Sequence, residues 1–310
     1  MPSSLIRCET AAMPQLQRDS VLIDYAVHGP EQGEPLLLIM GLGMQRIAWP
    51  VSLLDAFARQ GFRVISFDNR DIGLSTRYDA HGEPALARVV ARRLLGRPMR
   101  LPYLLADLAD DGVALLDHLG IARAHVLGIS MGGMIAQHLA HRHASRLRSL
   151  TLMSTRSGRL GLPLPAASVL RLMLSRPNTR VSVDAAIDCW VRLFGLIGSP
   201  AWPMSREDME RRARASLQRA PTGAGVSRQL AAIIADGDRS PLLRTLVLPT
   251  LVLHGTHDAM VPPAHGRQLA ALIPGARLQT IHGWGHDLPD ALSDQFASVV
   301  AEHAHAAGRS

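Results

Sequence analysis

The feature that most constrains this chain is a rhythm. From Asp19 to Leu152, short apolar runs alternate with longer amphipathic stretches, as in a parallel sheet whose strands are joined by covering helices. Pro35 to Met40 (PLLLIM) is apolar without alternation, which marks a strand covered on both faces. Further strands are expected at Val21 to Val27, Arg63 to Phe67, Ala124 to Gly128 and Leu147 to Met153, with helices at Trp49 to Gln60, Leu104 to Leu119 and Met131 to His143. From Ser154 to Arg244 the strand signal stops. Helical pieces there are broken by Pro163, Pro177, Pro200, Pro203 and Pro221. The rhythm then resumes with a strand at Thr250 to His254, a helix near Ala264 to Ile273, a strand at Ala276 to Ile281 and a helix from Pro289 to Ala301. An interruption followed by a return means one core, residues 1–153 and 245–310, carrying a helical cap inserted at 154–244. With 47% apolar and 19% charged residues, the chain has material for a large core.

The formal charge of +7 raises nucleic acid, an anionic membrane or an acidic substrate as partners. The 33 basic residues are all arginine, scattered along the chain, with neither a cysteine–histidine finger nor an aromatic-and-basic repeat. No nucleic-acid partner is therefore expected. Two arginine-rich segments, Arg88 to Arg100 and Glu207 to Arg219, are read as solvated surface helices, with membrane or partner contact as the alternative for each. Cys8 and Cys189 are too few for a disulfide framework or a structural zinc site, and no run is apolar enough to span a bilayer. The amino terminus lacks the apolar core of a signal peptide, so a cytoplasmic setting is expected.

Chemistry enters at Gly128 to Gly133 (GISMGG). Ser130 there follows a buried strand and precedes a helix, so a sharp turn would expose its hydroxyl. A serine needs a base to take its proton, and the base needs an orienting acid. Downstream, HGTHD places Asp258 in the loop after the TLVL strand, and HGWGHD places His286 after the last strand. His254, His257, His282, His138, His141 and His143 show no metal-ligand spacing, and Asp287 and Asp290 read as helix caps. An oxyanion needs preorganised donors, for which the amides of Met131 and of Leu42, in Gly41-Leu42-Gly43, are suited. Met44 and Trp49 are candidate pocket residues, although core packing would account for them equally.

Taken together, LLLIMGLG, FDNRDIGLS, VLGISMGG, HGTHD and HGWGH resemble the α/β-hydrolase superfamily, and within it bacterial capped esterases of the aclacinomycin methylesterase type. The resemblance runs from about Val21 to Ala301 outside the cap. It implies a mostly parallel eight-stranded sheet flanked by helices, the same triad and oxyanion amides, and no cofactor. Two positions depart from the pattern: Met40 where histidine is frequent, and Asp71 where glycine is frequent. The expected activity is hydrolysis of small-molecule carboxylic esters through an acyl-enzyme. Lactone, thioester or carbon–carbon cleavage and peracid formation are alternatives on the same triad, and a binding-only receptor is a rival from another class. The oligomeric state, monomer or homodimer, is left open.

Overall fold

The computed structural model describes residues 14–18, 20–174, 182–221 and 223–308; Cys8 and Pro177 lie outside them. In chain order the elements are β1 (Gln15–Arg18), β2 (Val21–His28), β3 (Glu34–Ile39), α1 (Val51–Arg59), β4 (Phe62–Phe67), α2 (Leu86–Leu94), α3 (Leu105–His118), β5 (Ala124–Ile129), α4 (Met131–Arg142) and β6 (Leu147–Met153). There follow α5 (Ala167–Leu174), α6 (Val183–Ile197), α7 (Arg206–Arg219), α8 (Gly225–Asp236) and α9 (Ser240–Leu243). The chain closes with β7 (Thr250–Gly255), α10 (Ala264–Leu272), β8 (Arg277–Ile281) and α11 (Ser293–Ala307).

The eight strands form one sheet in the order β1-β2-β4-β3-β5-β6-β7-β8. Pairs β1–β2 and β2–β4 are antiparallel and the rest parallel. Strand β3 shows how the sheet divides the core. Leu37 and Ile39 face α3, α4 and α10, whereas Leu36 and Leu38 face α1 and α11. Both sets leave water completely, as an apolar strand without alternation requires.

The differences from the sequence reading fall at edges. The short β1, with only Leu16 buried, carries no apolar run and was not expected. The first core helix begins at Val51 because Pro50, at its N-cap, disfavours helical backbone at Trp49, which is extended. The last begins at Ser293, after a single tight turn at Asp290–Leu292, and runs on to Ala307.

One packing contact carries a pH signature. On α11, His303 is buried against β6 with its Nε2 3.2 Å from the Leu150 carbonyl. Burial pushes its pKa down to about 4. Above its ordinary value the ring is neutral in both states. As pH falls from about 6.5 towards 4 the unfolded chain gains a proton that the folded one refuses, so stability drops across that window by on the order of 2–3 kcal/mol. Urea midpoints at pH 7 and pH 4.5 should therefore differ less for His303→Gln than for wild type; parallel losses would mean this ring is not involved.

Candidate active site

Strand β5 ends in the interior at Ile129, and α4 starts two residues later. Ser130, between them, takes φ 55° and ψ −119°, a left-handed conformation costly for a side-chain-bearing residue. Two glycines permit the turn. A Cβ on Gly128 would fall 2.2 Å from the Gly132 carbonyl oxygen, and one on Gly132 would fall 2.0 Å from that of Ile39. The turn is held from below as well: Ser130 donates its N–H to Met153 (3.0 Å), and Thr155 Oγ1 donates to the Ser130 carbonyl (2.6 Å).

The loops after β7 and β8 converge on that serine. His286 Nε2 lies 3.1 Å from Ser130 Oγ, and its Nδ1 lies 2.7 Å from Asp258 Oδ2. Asp258 is buried and its other oxygen accepts from the amides of Met260 (3.0 Å) and Val261 (2.7 Å), so the carboxylate keeps one oxygen for the imidazole. Behind it, His254 Nε2 stands 2.8 Å from the Val261 carbonyl and 3.6 Å from Asp258 Oδ2. Burial lowers the His254 pKa, disfavouring the charged form of that ring. Of the histidines compared in the sequence, only His286 bridges the serine and the acid.

The histidine loop is also tied to α6. His286 donates its amide to the Ile197 carbonyl (2.7 Å), one of the orphan carbonyls at a helix C-terminus. Ser199 Oγ accepts from the Gly285 amide (3.0 Å) and donates to Asp287 Oδ1 (2.5 Å). This corrects the capping role expected for Asp287, whose carboxyl is pushed up by burial and braces the loop instead. Asp290 likewise does not cap α11: it accepts from Ser52 Oγ and pairs with Arg212, while Leu292 takes the N-cap. No sequence pattern could reveal Ser199, because its partners are far away along the chain.

On the opposite side of Ser130 lies the Gly41–Met44 turn, closed by the Met44 amide on the Gly41 carbonyl (3.2 Å). A Cβ on Gly41 would approach the Ser130 Cβ to 3.2 Å, so this backbone abuts the serine. Met131 opens α4, where an amide has no carbonyl a turn behind it within the helix. The turn is braced by Asn69 Nδ2 on the Met40 carbonyl (3.1 Å) and by buried Gln229 of α8, which accepts from the Gly43 amide (2.9 Å) and donates to the Arg70 carbonyl (2.9 Å). Both departures noted in the sequence are absorbed here. Met40 is core, and Asp71 adopts the glycine-like φ of 71° because Arg228, Tyr103 and the Tyr78 amide hold its carboxylate.

Over the serine and histidine opens a cavity of about 860 Å³. Its walls include Leu42, Met44, Met260 and, from α6, Trp190 and Phe194, whose rings stack at 3.9 Å. Both candidate pocket residues reach it, Trp49 as a fully buried core side chain and Met44 as a half-buried one. Cys189 lines it too. Among the described residues no three histidine, cysteine or carboxylate side chains gather to hold a metal ion, and no helix is long and apolar enough to cross a membrane.

The model of the alpha/beta hydrolase fold family matches residues 34–290, most of the chain. This chain belongs to the α/β-hydrolase family. It is similar to the rhodomycin D methylesterase of Streptomyces sp. (strain C5), at 29% identity over 94% of this chain and 98% of that protein. It is also similar to the 2-hydroxymuconate semialdehyde hydrolase of Pseudomonas putida, at 27% identity over 93% of each. Among solved structures, a meta-cleavage product hydrolase from Pseudomonas fluorescens shares the fold with a TM-score of 0.74, at 23% identity over 95% of this chain and 98% of that one.

Proposed function

We propose that this α/β-hydrolase cleaves carboxylic esters of small molecules through Ser130 as nucleophile, His286 as base and Asp258 as its orienting acid. The observation that carries this reading is the unbroken chain Asp258–His286–Ser130, 2.7 and 3.1 Å, opening into a mostly apolar cavity. His286 takes the serine proton as Oγ attacks the acyl carbon. The developing imidazolium is stabilised by Asp258, held in place by two amides. The oxyanion is received by the amides of Met131, which follows Ser130 at the start of α4, and of Leu42, in the turn whose Gly41 abuts the serine. Collapse expels the alcohol with the histidine proton, and water then releases the acid by the same route. None of these steps calls for a cofactor.

The helices of residues 154–244 serve as the cap in this reading, with α6 and α7 roofing the cavity. A space of about 860 Å³ accommodates a bulky acyl group. Similarity to a rhodomycin D methylesterase supports a small alkyl leaving group, methyl above all. Matched panels of methyl esters with bulky and small acyl groups, lactones, thioesters and a vinylogous diketone would test the assignment. Highest kcat/KM is expected on the bulky methyl esters, with fluorophosphonate labelling at Ser130. Preference for the diketone would move the chain to carbon–carbon hydrolysis, and no turnover with no label would leave a binding role.

A further inference from the structure

Of the two arginine-rich helices, α7 lines the cavity and α2 follows a segment that does, and their charges have different fates. On α7, Arg206, Arg211, Arg212, Arg214 and Arg219 each meet a carboxylate, and Arg219, against the solvated helix expected, does so in the interior. On α2 and the turn after it, Arg88, Arg92, Arg93, Arg97 and Arg100 form no ion pair with any acid among the described residues, and no Asp or Glu occurs from Pro84 to Ala106. Arg92 rests on the Pro98 carbonyl (2.9 and 2.7 Å), a neutral acceptor that leaves its charge uncompensated.

Apolar side chains lie among these charges. Val89 is the buried residue of α2; helical spacing turns Val90 and Leu94 away from it, and Leu95 follows at the C-cap. Leu94 is 78% and Leu95 66% exposed, so this strip is outside the core that α2 covers. The arrangement is that of an interfacial helix, apolar strip between cationic flanks.

We propose that α2 docks this protein onto an anionic lipid bilayer surface. Unpaired cations call for an anionic partner, and Leu94 and Leu95 call for one with an apolar layer, which a bilayer supplies and a nucleic acid does not. A second copy meeting α2 against α2 would oppose like charges. Asp79, Gly82 and Glu83, shortly ahead of α2, line the cavity, so docking would set one cavity wall beside the lipid.

Sedimentation of the full chain with phosphatidylcholine vesicles, with and without phosphatidylglycerol, tests this. Binding is expected only with phosphatidylglycerol, weakened by salt, and reduced by about tenfold or more in Arg88→Glu/Arg97→Glu/Arg100→Glu and in Leu94→Ser/Leu95→Ser. Hydrolysis of a water-soluble ester by both variants at the wild-type rate would show that they remain folded. Failure of wild type to bind phosphatidylglycerol vesicles, or binding that neither variant weakens, would overturn the proposal. A wild-type dimer lost in Leu94→Ser/Leu95→Ser would instead assign the face to a second copy.

Discussion

Ser130→Ala is expected to lower kcat for ester hydrolysis by about 10⁴- to 10⁶-fold while the protein stays folded. Among the described residues the serine hydroxyl hydrogen-bonds only with the His286 ring, so removing it leaves the turn's backbone bonds to Met153 and Thr155 in place. Alanine meets the same positive φ that serine already tolerates, and the glycines around it are untouched. Whatever rate survives would come from binding and from amides that polarise the carbonyl for attack by water. The check is steady-state kinetics on the best ester together with a urea unfolding curve. A variant that keeps a tenth of its activity with unchanged stability would exclude Ser130 as nucleophile.

The second large effect is on stability. Arg219, the last residue of α7, spans two fully buried carboxylates, with Nη2 2.5 Å from Asp24 and Nη1 2.6 Å from Asp68. Gln45 completes the latch: it accepts from Arg219 (2.8 Å) and donates to the carbonyls of Ser216 (2.7 Å) and Ala220 (3.1 Å) at the end of the same helix. Asp24 has a second cation, Arg46 at 2.6 Å, whereas Asp68 would be left with amides alone. Surface ion pairs contribute under about 1 kcal/mol, but stripping one partner from a buried pair costs about 3–5 kcal/mol, so Arg219→Met should fall in the second range. Burial already raises the Asp68 carboxyl against the pull of Arg219. Without that cation it rises further, and a folded-state pKa above the unfolded one makes stability decline as pH rises through that interval. Urea unfolding at pH 4 and pH 8 should show Arg219→Met losing more at pH 8, since the decline starts at the ordinary carboxylate value, with Asp68→Asn in the same chain recovering part of the loss. A cost no larger than that of a surface pair would show the latch to be replaceable.

How much of this was legible beforehand follows from what each feature depends on. The central strands, their helices and the three residues proposed for catalysis are written in local pattern: apolar runs, a glycine-flanked serine between strand and helix, an acid and a histidine just beyond strand ends. Asp287 read as a cap because acids favour first turns, yet its partner, Ser199, is brought to it by the fold alone. Gln229, Arg219 and Ser199 carry no motif, since each acts on a loop far away in sequence. Strand β1 was missed because an edge strand needs little apolar surface and leaves little trace. The two arginine helices differ already in sequence, since α7 carries Glu207, Asp208 and Glu210 and α2 no acid, but the partners of Arg212, Arg214 and Arg219 are supplied by the fold alone.

The bonds from Ile197 and Ser199 to the loop of His286 bear on how such enzymes diversify. Were the roof of the pocket an independent module, recombination could exchange it freely and new specificities would come by transplantation. Here its stem is part of the scaffold that aims the imidazole, so a graft reaching through residues 197–199 would also have to recreate those bonds. Variation confined to positions before Ile197 escapes that constraint. In the proposed mechanism the roof therefore divides into a portion free of the His286 loop and a stem bonded to it.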